Sequence, residues 1–125
     1  MSGENKNVDC IFCKIVAGEI PTEVVYEDES VLAFPDIQPL APIHILIIPK
    51  EHIETINDLE GEKGERLAGH LILVAKKIAR EKGIAEDGYK LLFRVNKHGQ
   101  QEVPHIHLHL IGGGQLKEEI GLAGA

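Results

Sequence analysis

Three histidines alternate with two aliphatic residues in the sequence His-Ile-His-Leu-His at residues 105–109. On a β-strand this period of two places all three imidazoles on one face, roughly 7 Å apart from one to the next, and turns Ile106 and Leu108 toward the core. A solvated strand face seldom needs three histidines, because Thr, Lys or Glu would serve as well. The pattern therefore predicts a functional site on a strand.

Two kinds of chemistry use such a histidine face. Two or three imidazoles on a strand can bind a metal ion such as zinc. Alternatively, a neutral imidazole is itself the nucleophile, and its neighbours set its tautomer and neutralise the charge of a phosphate. Periodicity does not choose between these chemistries. The three glycines at 112–114 would permit close approach of the backbone to a ligand, or would serve equally as a flexible turn.

The two cysteines of the chain, Cys10 and Cys13, form a Cys-x-x-Cys pair. In a reducing compartment a disulfide is not expected, and this spacing indicates metal binding or redox chemistry. The pair supplies only half of a tetrahedral zinc site, so any further ligands must come from elsewhere in the chain.

The other segments must position these residues, and their hydrophobic patterns predict an α+β fold. We expect a short helix or turn over residues 10–17 and a long helix from about Glu62 to Lys82, ended by Gly83. Strands are predicted over residues 23–27, 31–35, 44–48, 89–96 and 103–111, with a proline-rich loop over 36–42. Because no regular βαβ alternation occurs, the sheet should be largely antiparallel.

Composition limits the partners that this chain can have. A net charge of −7, without a cluster of Lys and Arg, argues against a nucleic-acid partner but allows a small phosphate ligand. No apolar run approaches the ~20 residues that cross a bilayer, so no membrane partner is expected. The polar N-terminus lacks the layout of a signal peptide, which predicts a cytoplasmic protein. We expect a single domain over residues 1–125, with a core from about 9 to 114 and a flexible N-terminus and C-terminal tail.

Four blocks of the sequence together resemble the histidine triad (HIT) family, in that family's order. They are DCIFCKI at residues 9–15, FPDI at 34–37, APIHILIIPK at 41–50 and HIHLHLIGG at 105–113. The resemblance runs from about Asp9 to Gly114, and the compact length is similar to the Hint branch of the family. It implies a HIT-like fold with about five antiparallel strands, one long helix and a short N-terminal helix.

The resemblance implies a purine nucleoside phosphoramidase, which hydrolyses adducts of AMP or GMP without an organic cofactor. His107 would attack the α-phosphorus and form a covalent nucleotidyl-histidine that water then resolves. His109 would stabilise the phosphate oxygens and help to protonate the leaving group. His44 occupies the position of a further active-site histidine. A homodimer, with two sheets joined across a two-fold axis, is also implied.

The resemblance extends to positions that bind the nucleotide. The matching residues are Asp36, Ile37, Asn96, Gln101 and Glu102, together with His107 and His109. The acid at 36 would accept the ribose hydroxyls, and Asn96 would contact the phosphate. Glu102 stands where animal members have a small hydroxyl residue, and Gln100 where they have a glycine. A carboxylate there would favour a cationic or amine-bearing leaving group.

Family members with the cysteine pair use the first histidine of the triad as a zinc ligand. The resemblance therefore implies a Cys₂His₂ site of Cys10, Cys13, His52 and His105. A site closed by four protein ligands is structural rather than catalytic. It would anchor the N-terminal segment beneath the histidine strand and orient His105 in support of its neighbour. The alternative is two buried thiols and a surface histidine.

Other functions stay open at this point. The transferase branch of the family ends its triad in glutamine, so His109 favours hydrolysis. Within hydrolysis, the nearest alternative substrate is a dinucleoside polyphosphate. From other classes come a zinc- or nucleotide-binding module that acts through a protein partner, and an enzyme whose triad holds a catalytic metal.

Overall fold

The computed structural model describes residues 9–124, which form one open sheet of five antiparallel strands in the order β1-β2-β3-β5-β4. The elements are α1 (Ile11–Val16), β1 (Tyr26–Glu27), β2 (Val31–Pro35), β3 (Ile43–Pro49), α2 (Gly61–Glu81), β4 (Tyr89–Phe93) and β5 (Leu108–Gly112). The predicted α+β class, with one long and one short helix, is confirmed. The predicted flexibility of the N-terminus concerns residues 1–8, which lie outside the described range.

Helix α2 covers one face of the sheet. Its apolar positions Leu71, Val74 and Ile78 are buried against strand residues such as Ile47 and Leu108. The helix was predicted to within one residue at each end. The chain leaves the helix at Gly83, whose φ of +77° is a left-handed conformation that glycine adopts without steric cost. No helix within residues 9–124 is both long and apolar enough to span a membrane.

Helix α1 packs on the opposite face of the sheet and forms a second, smaller core. Phe12 and the two cysteines are buried there against Phe34 and Leu46. Because both faces of β3 are covered, this strand is apolar almost throughout, as the sequence predicted. The N-cap residue Cys10 begins α1, and its Sγ accepts a hydrogen bond from the backbone N–H of Cys13 at 3.3 Å.

Three predicted strands are shorter in the structure. Strand β5 begins at Leu108 rather than at residue 103, because Pro104 has no N–H and the N–H of His105 closes a tight turn onto the carbonyl of Val103 at 2.8 Å. The N–H of Ile106 bonds to the carbonyl of Ile53, outside the sheet. Strand β4 ends at residue 93 rather than 96, and β1 covers only residues 26–27 of the predicted 23–27.

The chain turns away after β4 because the loop that follows leaves extended geometry. Asn96 has φ +57° and Gln100 has φ +64°, both in the left-handed region. The N–H of Gln101 returns to the carbonyl of Asn96 at 3.0 Å. This compact loop brings the 96–102 segment back beside the histidines of 105–109.

Candidate functional site

The histidine segment keeps the predicted alternation even where it is not part of the sheet ladder. Ile106, Leu108 and Leu110 belong to the core beneath α2, whereas the three imidazoles lie on the α1 side. The rings of His107 and His109 are 5.0 Å apart between centroids. The three histidines are buried, but each has a different hydrogen-bonding environment.

His107 is held in one orientation by the backbone. Its Nδ1–H donates to the carbonyl of His105 at 2.7 Å, which leaves the lone pair on Nε2. The ring of Phe12 packs against it edge-on, 5.1 Å away between centroids. Nε2 makes no hydrogen bond to any residue in the described range, and the imidazole lines a cleft. The geometry presents an unprotonated ring nitrogen to whatever enters that cleft.

A second chain of hydrogen bonds orients His109. The backbone N–H of Leu40 donates to Nδ1 of His44 at 3.0 Å, so the proton of the neutral His44 ring is on Nε2. That Nε2–H donates to Nδ1 of His109 at 2.9 Å. The proton of His109 is therefore on its own Nε2, a buried atom without a partner among residues 9–124. This N–H donor is available to a ligand.

Burial keeps these imidazoles neutral. It lowers the pKa of His44 and of His107 below the ordinary value of 6.5. For His109, burial and the neighbouring His107 and His44 lower the pKa to about 4. At neutral pH the site thus contains one imidazole that can act as a nucleophile and another that donates a hydrogen bond.

The cleft in front of these rings has a volume of about 240 Å³. Its polar lining includes Asp36, Arg94 and Glu102 beside the histidines. Asp36 lies 3.4 Å from Nε2 of His44 through Oδ2, and its Oδ1 accepts the N–H of Gln38 at 2.9 Å. The structure thus brings together four of the seven predicted nucleotide-binding residues, among them His107 and His109, and all three predicted catalytic histidines.

The other predicted nucleotide-binding residues lie around this cleft rather than in it. Asn96 and Gln101 line an adjoining depression that shares Glu102 with the cleft. The side chain of Gln101 is used within the protein, since it accepts the N–H of Asn96 at 3.0 Å and donates to the carbonyl of Glu54 at 2.7 Å. Ile37 follows Asp36 directly in the chain and is 89% exposed.

Sequence reasoning missed three contributors to the site. The N–H of Leu40 sets the tautomer of His44, and a backbone donor leaves no signal in residue type. Phe12 packs on His107 and also on His105, although it lay within the recognised DCIFCKI block. Arg94 lines the cleft because β4 ends one residue before it. A strand prediction that ended before this charged residue would have placed Arg94 in the following loop and made it a candidate site residue.

The second cluster lies beneath His105. It consists of the predicted ligands Cys10, Cys13, His52 and His105, whose ligand atoms all lie within 4.8 Å of one another. Sγ of Cys10 is 3.3 Å from Nδ1 of His105, and Sγ of Cys13 is 3.1 Å from Nδ1 of His52. The two Nδ1 atoms are 3.3 Å apart. These four residues are positioned to bind a metal ion.

The donor set and its spacing fit zinc. With Zn–N near 2.0–2.1 Å and Zn–S near 2.3 Å, a tetrahedral site separates its ligand atoms by roughly 3.3–3.8 Å. Nε2–H of His105 donates to the carbonyl of Pro49 at 2.8 Å, which directs the lone pair of Nδ1 into the cluster. Burial lowers the pKa of His105 to about 4, so the ring is neutral as a ligand must be.

The positions of the ligand atoms also show whether the three triad histidines could bind one metal ion together. A second group of possible ligands, Asp36, His44 and His109, also lies within metal-binding distance. In this second group, the Nε2–H of His44 donates to Nδ1 of His109, so a proton already lies between these two nitrogens. Neither group within residues 9–124 contains more than one histidine of the triad. The triad therefore does not converge on a single ion.

The chain thus combines an antiparallel α+β fold with a set of oriented imidazoles on one face of the sheet. A sequence profile described as the HIT domain matches residues 17–116. The chain belongs to the HIT family.

Individual relatives match most of the chain. It is 55% identical over 108 residues to the purine nucleoside phosphoramidase of Escherichia coli strain K12, covering 86% of this chain and 90% of that protein. The crystal structure of a HIT family hydrolase from Legionella pneumophila superposes with a TM-score of 0.83 at 54% identity, over 87% of this chain and 96% of the other. A histidine triad protein from Clostridium difficile gives a TM-score of 0.87 at 43% identity, over 92% and 99%.

Proposed function

We propose that this protein hydrolyses nucleoside 5′-monophosphate phosphoramidates through a covalent nucleotidyl-histidine intermediate. One observation carries the proposal: the free Nε2 of His107 and the unpartnered Nε2–H of His109 belong to adjacent rings, 5.0 Å apart, at one cleft. A nucleophile next to a hydrogen-bond donor is the arrangement that phosphoryl transfer to an imidazole requires. The name of the Escherichia coli relative supports a purine nucleotide, such as AMP or GMP, as the transferred group.

In the first step, Nε2 of His107 forms a bond to the α-phosphorus while the bond from phosphorus to the leaving nitrogen breaks. The carbonyl of His105 stabilises the positive charge that develops on the ring, through the hydrogen bond from Nδ1. His109 enters this step as the neutral ring, because its Nδ1 already accepts the Nε2–H of His44. The Nε2 proton of His109 passes to the leaving nitrogen, which departs as a neutral amine, and the hydrogen bond from His44 stabilises the imidazolate that remains.

In the second step, water attacks the phosphorus and releases His107. His109, now an imidazolate, takes a proton from the water, so the product is the nucleoside monophosphate and the ring is again neutral with its proton on Nε2. His44 acts on His109 through its Nε2–H and keeps Nε2 of His109 directed at the substrate. The two steps together consume one water molecule and return every protein group to its starting state.

The nucleoside would extend toward the β2–β3 side of the cleft. There the free lone pairs of Asp36 can accept ribose hydroxyls, and the exposed Ile37 offers an apolar surface to the base. Asn96, Gln101 and Glu102 would shape the opposite side, where Asn96 contacts the phosphate and Glu102 faces an amine-bearing leaving group.

We assign the Cys–His cluster as a structural zinc site with Cys10, Cys13, His52 and His105 as ligands. Four protein ligands leave no open position on the ion for substrate, so bound Zn²⁺ would supply stability rather than reaction chemistry. The site joins α1 to the segment that precedes β5, which are distant in sequence.

We further propose that the protein acts as a homodimer in the cytoplasm. Strand β4 is an edge strand, and Leu91 on it is 37% exposed. Leu91 pairs with Leu110 of the core beneath α2, so it faces the same side as that helix. Ile72 and Leu73 of α2 are exposed as well. An apolar surface next to a strand edge is a natural interface between two sheets.

Mass spectrometry of protein quenched during turnover of an adenosine phosphoramidate tests the reaction type and the nucleophile together. We expect an adduct of the mass of AMP on the peptide that contains His107. His107→Ala should form no adduct and should lose at least about 10³-fold in kcat, with its fold retained. Turnover that survives in His107→Ala, or an adduct on another residue, would refute the nucleophile assignment.

A further inference from the structure

Among the residues within 9–124 that line the histidine cleft, Arg94 is the one cationic side chain, and the proposed reaction does not use it. It lies close enough to lower the pKa of His44, His107 and His109 through its charge. Two carboxylates, those of Asp36 and Glu102, line the same cleft. Within residues 9–124, Arg94 nevertheless forms no ion pair shorter than 4.0 Å with either of them. Its positive charge is therefore available to a ligand.

A neighbouring side chain holds the guanidinium in place. Nη1 of Arg94 donates to Oε1 of Gln100 at 3.2 Å. Gln100 has φ +64°, a conformation that costs a residue with a side chain about 1 kcal/mol or more and that glycine would adopt freely. The N–H of Gln100 closes the local turn onto the carbonyl of Lys97 at 3.0 Å. The strained position thus carries a side chain whose hydrogen bond orients Arg94, and four further N–H donors of the guanidinium remain available.

The sheet order places Arg94 on the side of the cleft away from the nucleoside. Strand β5 lies between β3 and β4. Asp36 and His44 come from the β2–β3 side, whereas Arg94 follows β4. If the ribose occupies the Asp36 side, the other substituent of the phosphorus extends toward Arg94. The transferred phosphate already faces the Nε2–H of His109, so Arg94, farther from the phosphorus, is placed to bind a second negative charge of the substrate.

We infer that Arg94 binds an anionic group of the leaving amine, so that the enzyme prefers phosphoramidates whose leaving group carries a carboxylate close to the scissile nitrogen. This inference rests on the proposed function. Guanidinium and carboxylate form paired, charge-assisted hydrogen bonds. The role proposed for Glu102 is compatible, because the released amine nitrogen and its carboxylate present opposite charges to the two side chains.

Two adenosine phosphoramidates of matched shape test this inference, one with glycine and one with glycinamide as the leaving amine. The quantity to compare is the ratio of kcat/KM for the two substrates within each protein, because differences in intrinsic reactivity then cancel between proteins. Arg94→Met should lower the glycine-to-glycinamide ratio about 10- to 100-fold, the range expected for a hydrogen bond to a charged group. The loss should appear mainly in KM for the glycine substrate.

Three further variants separate binding from indirect effects. Lys76→Met removes one charge from an exposed position on α2 and should leave the ratio within about twofold of wild type. Arg94→Lys keeps the charge without the planar fork and should retain part of the preference. Gln100→Gly removes the orienting amide and should lower the glycine-to-glycinamide ratio of kcat/KM several-fold, in the same direction as Arg94→Met.

The outcomes distinguish this inference from the proposed function. Equal losses on both substrates in Arg94→Met would overturn the inference, because Arg94 would then serve the phosphate that they share. An unchanged ratio would overturn it as well. If the wild-type protein cleaves both substrates in either case, the proposed function survives. Wild-type protein that cleaves neither substrate and forms no adduct on His107 would overturn both.

Discussion

The carbonyl oxygen of His105 lies 2.7 Å from Nδ1 of His107, while the imidazole of His105 belongs to the Cys–His cluster. One residue therefore connects the two sites, with its side chain in one and its backbone in the other. Phe12 packs against both rings and strengthens this connection. The position of the Cys–His cluster thus determines where the hydrogen-bond acceptor of His107 lies.

Removal of the metal should therefore affect both stability and turnover. We expect about one zinc ion per chain by elemental analysis, and chelation should lower the melting temperature by roughly 10 °C or more, because structural zinc contributes several kcal/mol to folding. Activity should fall along with stability, since His105 would no longer hold His107. Cys10→Ser should reproduce both losses.

His107→Ala is the matched control for that experiment. It removes the proposed nucleophile but none of the proposed ligands, so its metal content and melting temperature should stay near those of the wild type. If the protein is purified without metal and has the same melting temperature as the zinc-loaded protein, zinc has no structural role. Chelation that abolishes activity at unchanged melting temperature would indicate a catalytic ion instead.

The faces of the sheet could be predicted from the sequence, but the ends of its strands could not. Alternation at 105–110 places histidines on one side and aliphatic residues on the other wherever the chain is extended, inside or outside a ladder. The start of β5 at Leu108 depends instead on Pro104 and on the bond from the N–H of Ile106 to the carbonyl of Ile53. Such a tertiary hydrogen bond has no signature in the local sequence.

The site itself was predictable only in part, because residue types are visible in the sequence and tertiary hydrogen bonds are not. The residues that could do chemistry were visible because histidine and cysteine are rare and closely spaced here. The four proposed zinc ligands required the family resemblance, since His52 lies far from the cysteines in sequence. The tautomers could not be predicted, because they depend on the N–H of Leu40 and the carbonyl of His105.

Replacement of His44 tests the hydrogen-bond chain that orients His109. In His44→Phe, Nδ1 of His109 loses its donor, so its Nε2–H no longer points reliably at the leaving group. We expect kcat for a phosphoramidate to fall roughly tenfold to hundredfold, part of the usual contribution of general acid catalysis. Turnover of the p-nitrophenyl ester of AMP should fall much less, because nitrophenolate departs without a proton.

His70→Gln serves as the control, because His70 bonds to Asp28 at 2.7 Å, away from the cleft. It should leave kcat for both substrates near the wild-type value. Equal losses on the two substrates in His44→Phe would indicate that His44 supports binding of the phosphate rather than departure of the leaving group.

The low pKa of His109 predicts a dependence of stability on pH. Burial and the neighbouring imidazoles lower its pKa in the folded protein to about 4, below the ordinary 6.5 of the unfolded chain. Protonation therefore favours the unfolded state, so the contribution of His109 is complete above pH 6.5 and is lost as the pH falls toward 4. Urea denaturation between pH 7 and pH 4 should show a smaller decline in the free energy of unfolding for His109→Gln than for the wild type.

The exposed His98 provides a control for the exchange of a histidine for glutamine. His98→Gln should decline with pH as steeply as the wild type, and the contribution of the Cys–His cluster is the same in all three proteins. Identical slopes for His109→Gln and the wild type would contradict the lowered pKa.

The apolar surface at the edge of β4 predicts which substitution separates the proposed dimer. Leu91→Glu places a charge on the side of the sheet that α2 covers, and burying this charge in an interface would cost several kcal/mol. Light scattering coupled to size-exclusion chromatography should give the mass of two chains for the wild type and of one chain for Leu91→Glu. Val24→Glu alters an exposed residue near β1, the opposite edge, and should leave the mass unchanged. A monomeric wild type, or a dimer dissociated by Val24→Glu but not by Leu91→Glu, would place the interface elsewhere.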